Sequence, residues 1–247
     1  MSITLLCKLI FHLTYNKMRS INRFWFGSLH LMVLLLLIFS AGCKKDDTPI
    51  DKTKVTDSDG NVYKTVTIGT QVWMAENLKT TRYSNGDPII TTTLNISTEA
   101  APKYQWAYGD DITNVNTYGR LYTWYTVTDS RKVCPAGWHV PSDVEWESLK
   151  LFLGGESMSG AKLKESGTTH WLTPNTGASN ETGFTAVPGG YRTLSGSYVS
   201  LQMSCYLWST SDNAPLGWGQ SLLYNDNILL RGGFNKPAGV SVRCIRD

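Results

Sequence analysis

The side chains able to do chemistry are few, and each group has a plain alternative reading. Ser209, His170 and Asp212 offer a nucleophile, a base and an orienting acid, but no Gly-x-Ser-x-Gly elbow surrounds the serine. Asp110, Asp111, Glu145, Glu147, Glu181 and Asp226 are candidates for a carboxylate pair that cleaves glycosides. Glu145 is better explained by a helix cap, and Asp110-Asp111 by a solvated loop. Asp57, Asp59 and Asn61 alternate as calcium ligands do, yet the glycine stands fourth and the twelfth residue is Ile68. A calcium loop of the EF-hand type needs glycine sixth and glutamate twelfth. No Cys-x-x-Cys or His/Cys cluster suggests zinc, and no Gly-rich turn between strand and helix cradles a phosphate. His139 reads as a packing residue and His170 as a loop residue. The expectation is a protein that is not an enzyme and uses neither cofactor nor metal.

What remains is recognition. Trp171, Tyr191, Trp218 and Tyr224 lie in the loop-rich C-terminal half, with Asp212, Asn225 and Asp226 close by in sequence. Aromatic faces stack on sugar rings, and carboxylates and amides bind hydroxyls, so these seven form the candidate ligand-binding set. Asn180, Asn213 and Asn235 extend its polar part. Trp73, Trp124, Trp138, Trp146 and Trp208 are expected to be core instead.

These groups need a frame, and the composition says which kind. The chain has 247 residues, of which 41% are hydrophobic, enough to build a core. Only 17% are charged, too few for long solvated helices or coiled coils, against an ordinary share of roughly 25%. Nine Trp, 12 Tyr and 22 Gly point to a β-rich, loop-rich chain. An Asp-Gly turn makes Val55–Tyr63 a hairpin, and Gly69-Thr70 makes Lys64–Met74 a second. Residues 80–118 read as long loops with short strands, and Tyr118–Tyr125 as aromatic core. One helix stands out: Ser142 and Glu145 form a capping box, and Val144, Trp146, Leu149, Phe152 and Leu153 make an apolar stripe ended by Gly154-Gly155. Strand-like pieces recur at Gly183–Val187, Tyr198–Met203, Tyr206–Ser209, Ser221–Tyr224, Ile228–Arg231 and Val240–Ile245. The fold class is α+β, one domain over residues 54–247.

The N-terminus reads as a targeting segment. Arg19 and Arg23 precede the apolar run Leu29–Phe39, which is too short to span a bilayer and fits a secretory signal. Ser40-Ala41-Gly42-Cys43 resembles the lipobox of bacterial lipoproteins, with Ser40 where an aliphatic residue is usual. This makes residues 1–42 a lipoprotein signal peptide, Cys43 the lipidation site and residues 43–53 a polar tether. Met18 is a second possible start, since MRSINRFWFG alone makes a normal basic leader. Lys45-Asp46-Asp47 resembles the signal that sends lipoproteins of Bacteroidetes-type bacteria to the outer face of the outer membrane. Residues 1–42 carry Lys8, Lys17, Arg19 and Arg23 and no acid, so 19 basic and 20 acidic residues remain after cleavage, a formal charge of −1. A nucleic-acid partner needs a basic face, and none is left.

Once Cys7 and Cys43 are set aside, Cys134, Cys205 and Cys244 allow at most one disulfide. A Cys134–Cys244 bond closes a loop of 110 residues, worth about 4–5 kcal/mol by chain entropy; Cys205–Cys244 is the other pairing.

Several stretches together resemble the Fibrobacter succinogenes major paralogous domain, a family of exported bacterial proteins often carried on lipoproteins. They are DGNVYKTV (59–66), IGTQVWMAENL (68–78), GRLY (119–122), CPAGWHVPSDVEW (134–146), GFTAVPGGYR (183–192), WST (208–210) and SVRCIRD (241–247). PSDVEW, GGYR and the terminal VRC also resemble the C-type-lectin-like fold, which the formylglycine-generating sulfatase modifiers share. That resemblance implies the long Cys134–Cys244 disulfide. It does not carry function: the Glu-Pro-Asn, Gln-Pro-Asp and Trp-Asn-Asp signatures of calcium-dependent lectins do not occur, and after the disulfide only Cys205 remains for cysteine chemistry. The combined expectation is a lipid-anchored, surface-displayed binding or adhesion module, with a glycan as first ligand and a cell-surface protein partner or structural envelope role as second. A degenerate relative of the sulfatase modifiers is third.

Overall fold

A computed structural model describes residues 53–247. The leader, Cys43 and the tether as far as residue 52 lie outside the described residues.

The first turn shows how local chemistry sets the architecture. One carboxylate oxygen of Asp57 accepts the backbone N–H groups of Asp59 and Asn61, both at 2.9 Å. The other accepts the Asn61 amide at 2.9 Å and the Tyr63 hydroxyl at 2.5 Å. All of this carboxylate's capacity goes into closing the turn, which joins β1 (Lys54–Thr56) to β2 (Val62–Ile68) as a hairpin. The second expected hairpin is also present, β2 pairing antiparallel with β3 (Gln71–Met74).

The chain then runs through β4 (Gln105–Ala107), a single helical turn at Val115–Tyr118, β5 (Arg120–Tyr122) and a second such turn at Trp124–Val127. After β6 (Trp138–His139) comes the expected helix, Asp143–Phe152, with both hydrogen bonds of its capping box formed. Gly154 and Gly155 end it at φ of +98° and +96°, a backbone region that favours glycine. Two details differ from the sequence expectation. Val144 and Phe152 are exposed, at 74% and 64%, and the buried stripe is Trp146, Leu149 and Leu153. A second helix, Glu156–Leu163, follows immediately.

The C-terminal half consists of β7 (Gly189–Arg192), β8 (Tyr198–Leu201), β9 (Ser204–Asn213), β10 (Leu216–Leu223), β11 (Leu230–Asn235), β12 (Val240–Ser241) and β13 (Ile245–Arg246). Gly183–Val187 is not a strand; only Ala186 makes an isolated bridge, to Lys164. The strands form two sheets. One is five-stranded in the order β1-β2-β3-β13-β6, and the other is eight-stranded, running β11-β10-β9-β12-β5-β4 with β7 and β8 attached at β9.

The last residues belong to both sheets. Ser241 pairs with Leu121 and Leu207 in the larger sheet, and Ile245 pairs with Trp73 and His139 in the smaller. Arg243 and Cys244 lie between, both fully buried. Cys244 is bonded to Cys134, which precedes the capped helix. The Arg243 guanidinium donates to Asn77 Oδ1 at 2.8 and 3.2 Å, to the Thr185 carbonyl at 3.2 Å and to the Phe184 carbonyl. It also stacks over the Phe184 ring at 4.1 Å. The five tryptophans expected in the core are all buried. Trp73 and Trp146 meet at 4.7 Å between ring centroids, and Phe184 closes on Trp73 at 5.7 Å.

Because the bond constrains 110 residues, its loss is expected to lower unfolding free energy by about 4 kcal/mol. Urea unfolding of Cys134→Ala/Cys244→Ala against the parent measures this, and equal midpoints would show that the sheets hold the chain end unaided.

Candidate functional site

The seven residues expected to bind a ligand do not meet on one surface. Trp171 is 2% exposed, and its indole N–H donates to the Ala186 carbonyl at 3.0 Å. It is a core residue, because the 165–176 segment folds inward over it. Beneath it lies Lys164, fully buried, whose ammonium donates to the carbonyls of Thr176 and Leu223 at 3.0 Å and of Asp226 at 2.6 Å. Burial pulls this ammonium down to about 8, with the Asp226 carboxylate opposing the shift. Three donors meet three acceptors, so Lys164 clamps the loop that carries Tyr224, Asn225 and Asp226. Tyr224 is partly buried against the same core, Asn225 is exposed, and one Asp226 carboxylate oxygen accepts the Ile228 N–H at 3.0 Å. Sequence reasoning missed Lys164, since nothing in Ala161-Lys162-Leu163-Lys164 marks one lysine as interior.

Trp218 stands elsewhere. Its ring is covered by the Arg231 guanidinium at 3.3 Å, and Arg231 is held by both Asp143 carboxylate oxygens at 2.8 and 2.9 Å. Gly217 is paired with Phe234, and cross-strand partners share a face while neighbours alternate. Trp218 therefore lies on the opposite face of the sheet from Phe234. Asp212 is exposed and paired with Lys236 at 2.7 Å.

Of the seven, Tyr191 lines an aromatic groove. The groove has a volume of about 470 Å³ and is lined by Tyr191, Leu194, Tyr206, Leu216, Phe234 and Asn235, with small residues between them. Its aromatic wall is a ladder across three strands: Tyr191 on Tyr206 at 5.2 Å, Tyr206 on Phe234 at 5.4 Å, and Phe234 on the buried Trp208 at 5.8 Å, each edge to face. Glycine makes this possible, because a Cβ on Gly219 would stand 2.6 Å from the Phe234 ring and 2.6 Å from the Leu207 carbonyl. No charged side chain lines the groove. The Tyr191 and Tyr206 hydroxyls and the Asn235 amide have no partner among the described residues. Gly217 and Gly219 within one strand mark a close approach to its backbone, but that Phe234 fills the space follows only from the strand register.

The residues considered for catalysis are occupied separately. His170 bonds Glu165 at 2.9 Å, Asp212 bonds Lys236, and Ser209 is fully buried. Glu145 closes the helix cap, and Glu181 pairs with Lys162 at 3.1 Å. Burial pushes the Cys205 thiol up to about 12, where it is not a nucleophile at neutral pH. Among the described residues no group of three or more His, Cys, Asp or Glu is placed to hold a metal. His139 does more than pack: Nδ1 bonds Asp247 at 2.6 Å and Nε2 bonds Glu145 at 2.7 Å.

The two sheets, the long disulfide and the aromatic groove define a strand-rich α+β domain closed by its own C-terminal strand. Residues 66–246 match the Fibrobacter succinogenes major domain family, and the chain belongs to that family. No curated protein and no solved structure matches it.

His139 gives a pH test. Burial disfavours its imidazolium, but the hydrogen bonds to Asp247 and Glu145 outweigh burial and raise its pKa. Glu145 is lowered: burial opposes this, and bonds from the Ser142 N–H, the Ser142 hydroxyl and His139 prevail. A histidine raised on folding stabilises fully below its unfolded value of about 6.5, and the gain is lost as pH rises through its folded value. The stability gap between the parent and His139→Gln is expected to be larger at about pH 5.5 than at about pH 9, read by urea unfolding; an equal gap at both would remove the charge from the account.

Proposed function

We propose that the chain is a lipid-anchored, non-catalytic binding module of the bacterial cell surface whose groove takes an uncharged glycan. The single observation that carries the ligand class is the composition of that groove: three stacked aromatic side chains, free hydroxyl and amide groups, and no charge. Sugar rings present flat C–H faces to aromatic groups and equatorial hydroxyls to amides, so such a lining fits a neutral saccharide. An anionic ligand would find no counter-charge there, which also speaks against nucleic acid.

The anchor at Cys43 and the outer-membrane address rest on the lipobox-like Ser40–Cys43 and on Lys45-Asp46-Asp47. A C-type-lectin-like fold is supported by the presence of the first and last strands in one sheet and by a disulfide from the segment before the capped helix to the last strands. A protein partner is the second reading, favoured by the exposed Val144, Leu151 and Phe152 on the outer side of the capped helix. The sealed Cys205 weighs against a working relative of the sulfatase modifiers.

Binding to an array of neutral oligosaccharides tests the first reading. Tyr191→Ala is expected to weaken the best signal at least about tenfold, or about 1.4 kcal/mol. Trp171→Ala is expected instead to lower stability by about 3–5 kcal/mol. An array without signal, or a signal indifferent to Tyr191→Ala and Phe234→Leu, overturns the glycan reading.

A further inference from the structure

The larger sheet ends in an open strand. β11 pairs with β10 on one side only, and nothing among the described residues pairs with the other. An edge of this kind presents unpaired N–H and C=O groups to any strand that fits, and proteins usually blunt it with lysine, proline or a bulge. Leu230-Arg231-Gly232-Gly233-Phe234-Asn235 has none of these in its own run. The other edges are shorter: three residues in β1, three in β4, two in β6 and four in β8. The one charge on β11, Arg231, is already neutralised by Asp143 of the same molecule, so two copies of the edge bring no uncompensated charge together.

The residue order is self-complementary. In an antiparallel ladder alternate residues turn both backbone groups to the same neighbour. Either Leu230, Gly232 and Phe234 face the open side, or Arg231, Gly233 and Asn235 do. Two copies of three such residues pair about the middle one, and the middle one is glycine in both cases. No side chain then stands at the symmetry axis.

We propose that β11 is a homodimerisation edge: two copies join antiparallel along Leu230–Asn235, with the two-fold axis through Gly232 or Gly233. The axis of such a pair stands perpendicular to the sheet, so the sheet continues across both copies. Gly233, Phe234 and Asn235 also line the aromatic groove, so the two grooves open on the same side of the joined sheet. The dimer is a two-site binder, which gains avidity without any new contact to ligand. The dimer does not depend on what the groove holds.

Cysteine cross-linking tests the geometry. Across the axis, like residues stand about 4.5–5.5 Å apart at Cα, within the reach of a disulfide, whereas residues two or more places from it are separated by more than about 13 Å. The full-length chain carrying Cys7→Ser and Cys43→Ser is given one of Gly232→Cys, Gly233→Cys, Leu230→Cys or Asn235→Cys and oxidised. A Cβ on Gly232 meets only the Phe234 ring at 3.7 and 3.8 Å, and one on Gly233 meets the flexible ends of Asn213 and Leu216 at 2.9 Å. The expected result is a linked dimer at one glycine position, at least about tenfold faster than at Leu230 or Asn235. Light scattering on the chain without an added cysteine is expected to show twice the monomer mass as concentration rises. A monomer at every concentration, equal linking at all four positions, or a dimer that links at neither glycine overturns the proposal.

Discussion

Everything in this domain depends on one buried cation. Arg243 sits with no exposure between the two sheets, and burial pulls its guanidinium down to about 10. A charge so placed is tolerated only when its donors are satisfied. Asn77 satisfies it from the segment after β3, and the Phe184 and Thr185 carbonyls from the segment before β7. Three stretches far apart in sequence are fixed relative to one another by a single side chain. The Cys134–Cys244 bond acts one residue later, on the same stretch of backbone. Together they let a terminal segment of seven residues, Val240–Arg246, serve two sheets.

Arg192 repeats the device on a smaller scale. It is buried, lies over Trp106 at 4.4 Å and donates to the Leu94 carbonyl at 2.8 Å. The long loop after residue 90 is thereby tied to β7, the strand that supplies Tyr191 to the groove. Lys164 does the same for residues 176, 223 and 226. In the long loops between the sheets, buried cations that donate to backbone carbonyls do the work that ladders do within them, because unpaired interior carbonyls are costly.

Much of the frame was legible in the sequence, and much of the site was not. The two hairpins and the capped helix follow from local signals: Asp57 and Gly60 in one turn, Gly69-Thr70 in the next, Ser142 with Glu145 at the cap. The helix Glu156–Leu163 was illegible because its interior holds Gly160, a poor helix former. A Cβ at Gly160 would stand 2.5 Å from the Ile228 carbonyl, so tertiary packing chose glycine against local propensity. Val144 and Phe152 fit a helical stripe by spacing, yet the sheet covers only the arc that includes Trp146, Leu149 and Leu153. Trp171 and Trp218 share similar flanks, Gly, Thr, Pro and Asn, but one is sealed over Lys164 and the other stacked under Arg231. Flanking residues report the turn, not which way a ring points. Tyr191 was singled out by its type and neighbourhood, whereas the rings it joins in the groove, Tyr206 and Phe234, follow only from the strand register.

The position of β13 bears on how the chain can fold. It lies between β3 and β6 in the smaller sheet, so the first hairpins lack their neighbour until β13 docks. On their own, β1, β2 and β3 form only local pairs, and the sheet closes when β13 enters between β3 and β6. Contacts of such long sequence separation fold slowly. The smaller sheet is thus completed by a contact between Ile245 and Trp73, 172 residues apart (245 − 73), while the hairpins it joins need only their own turns.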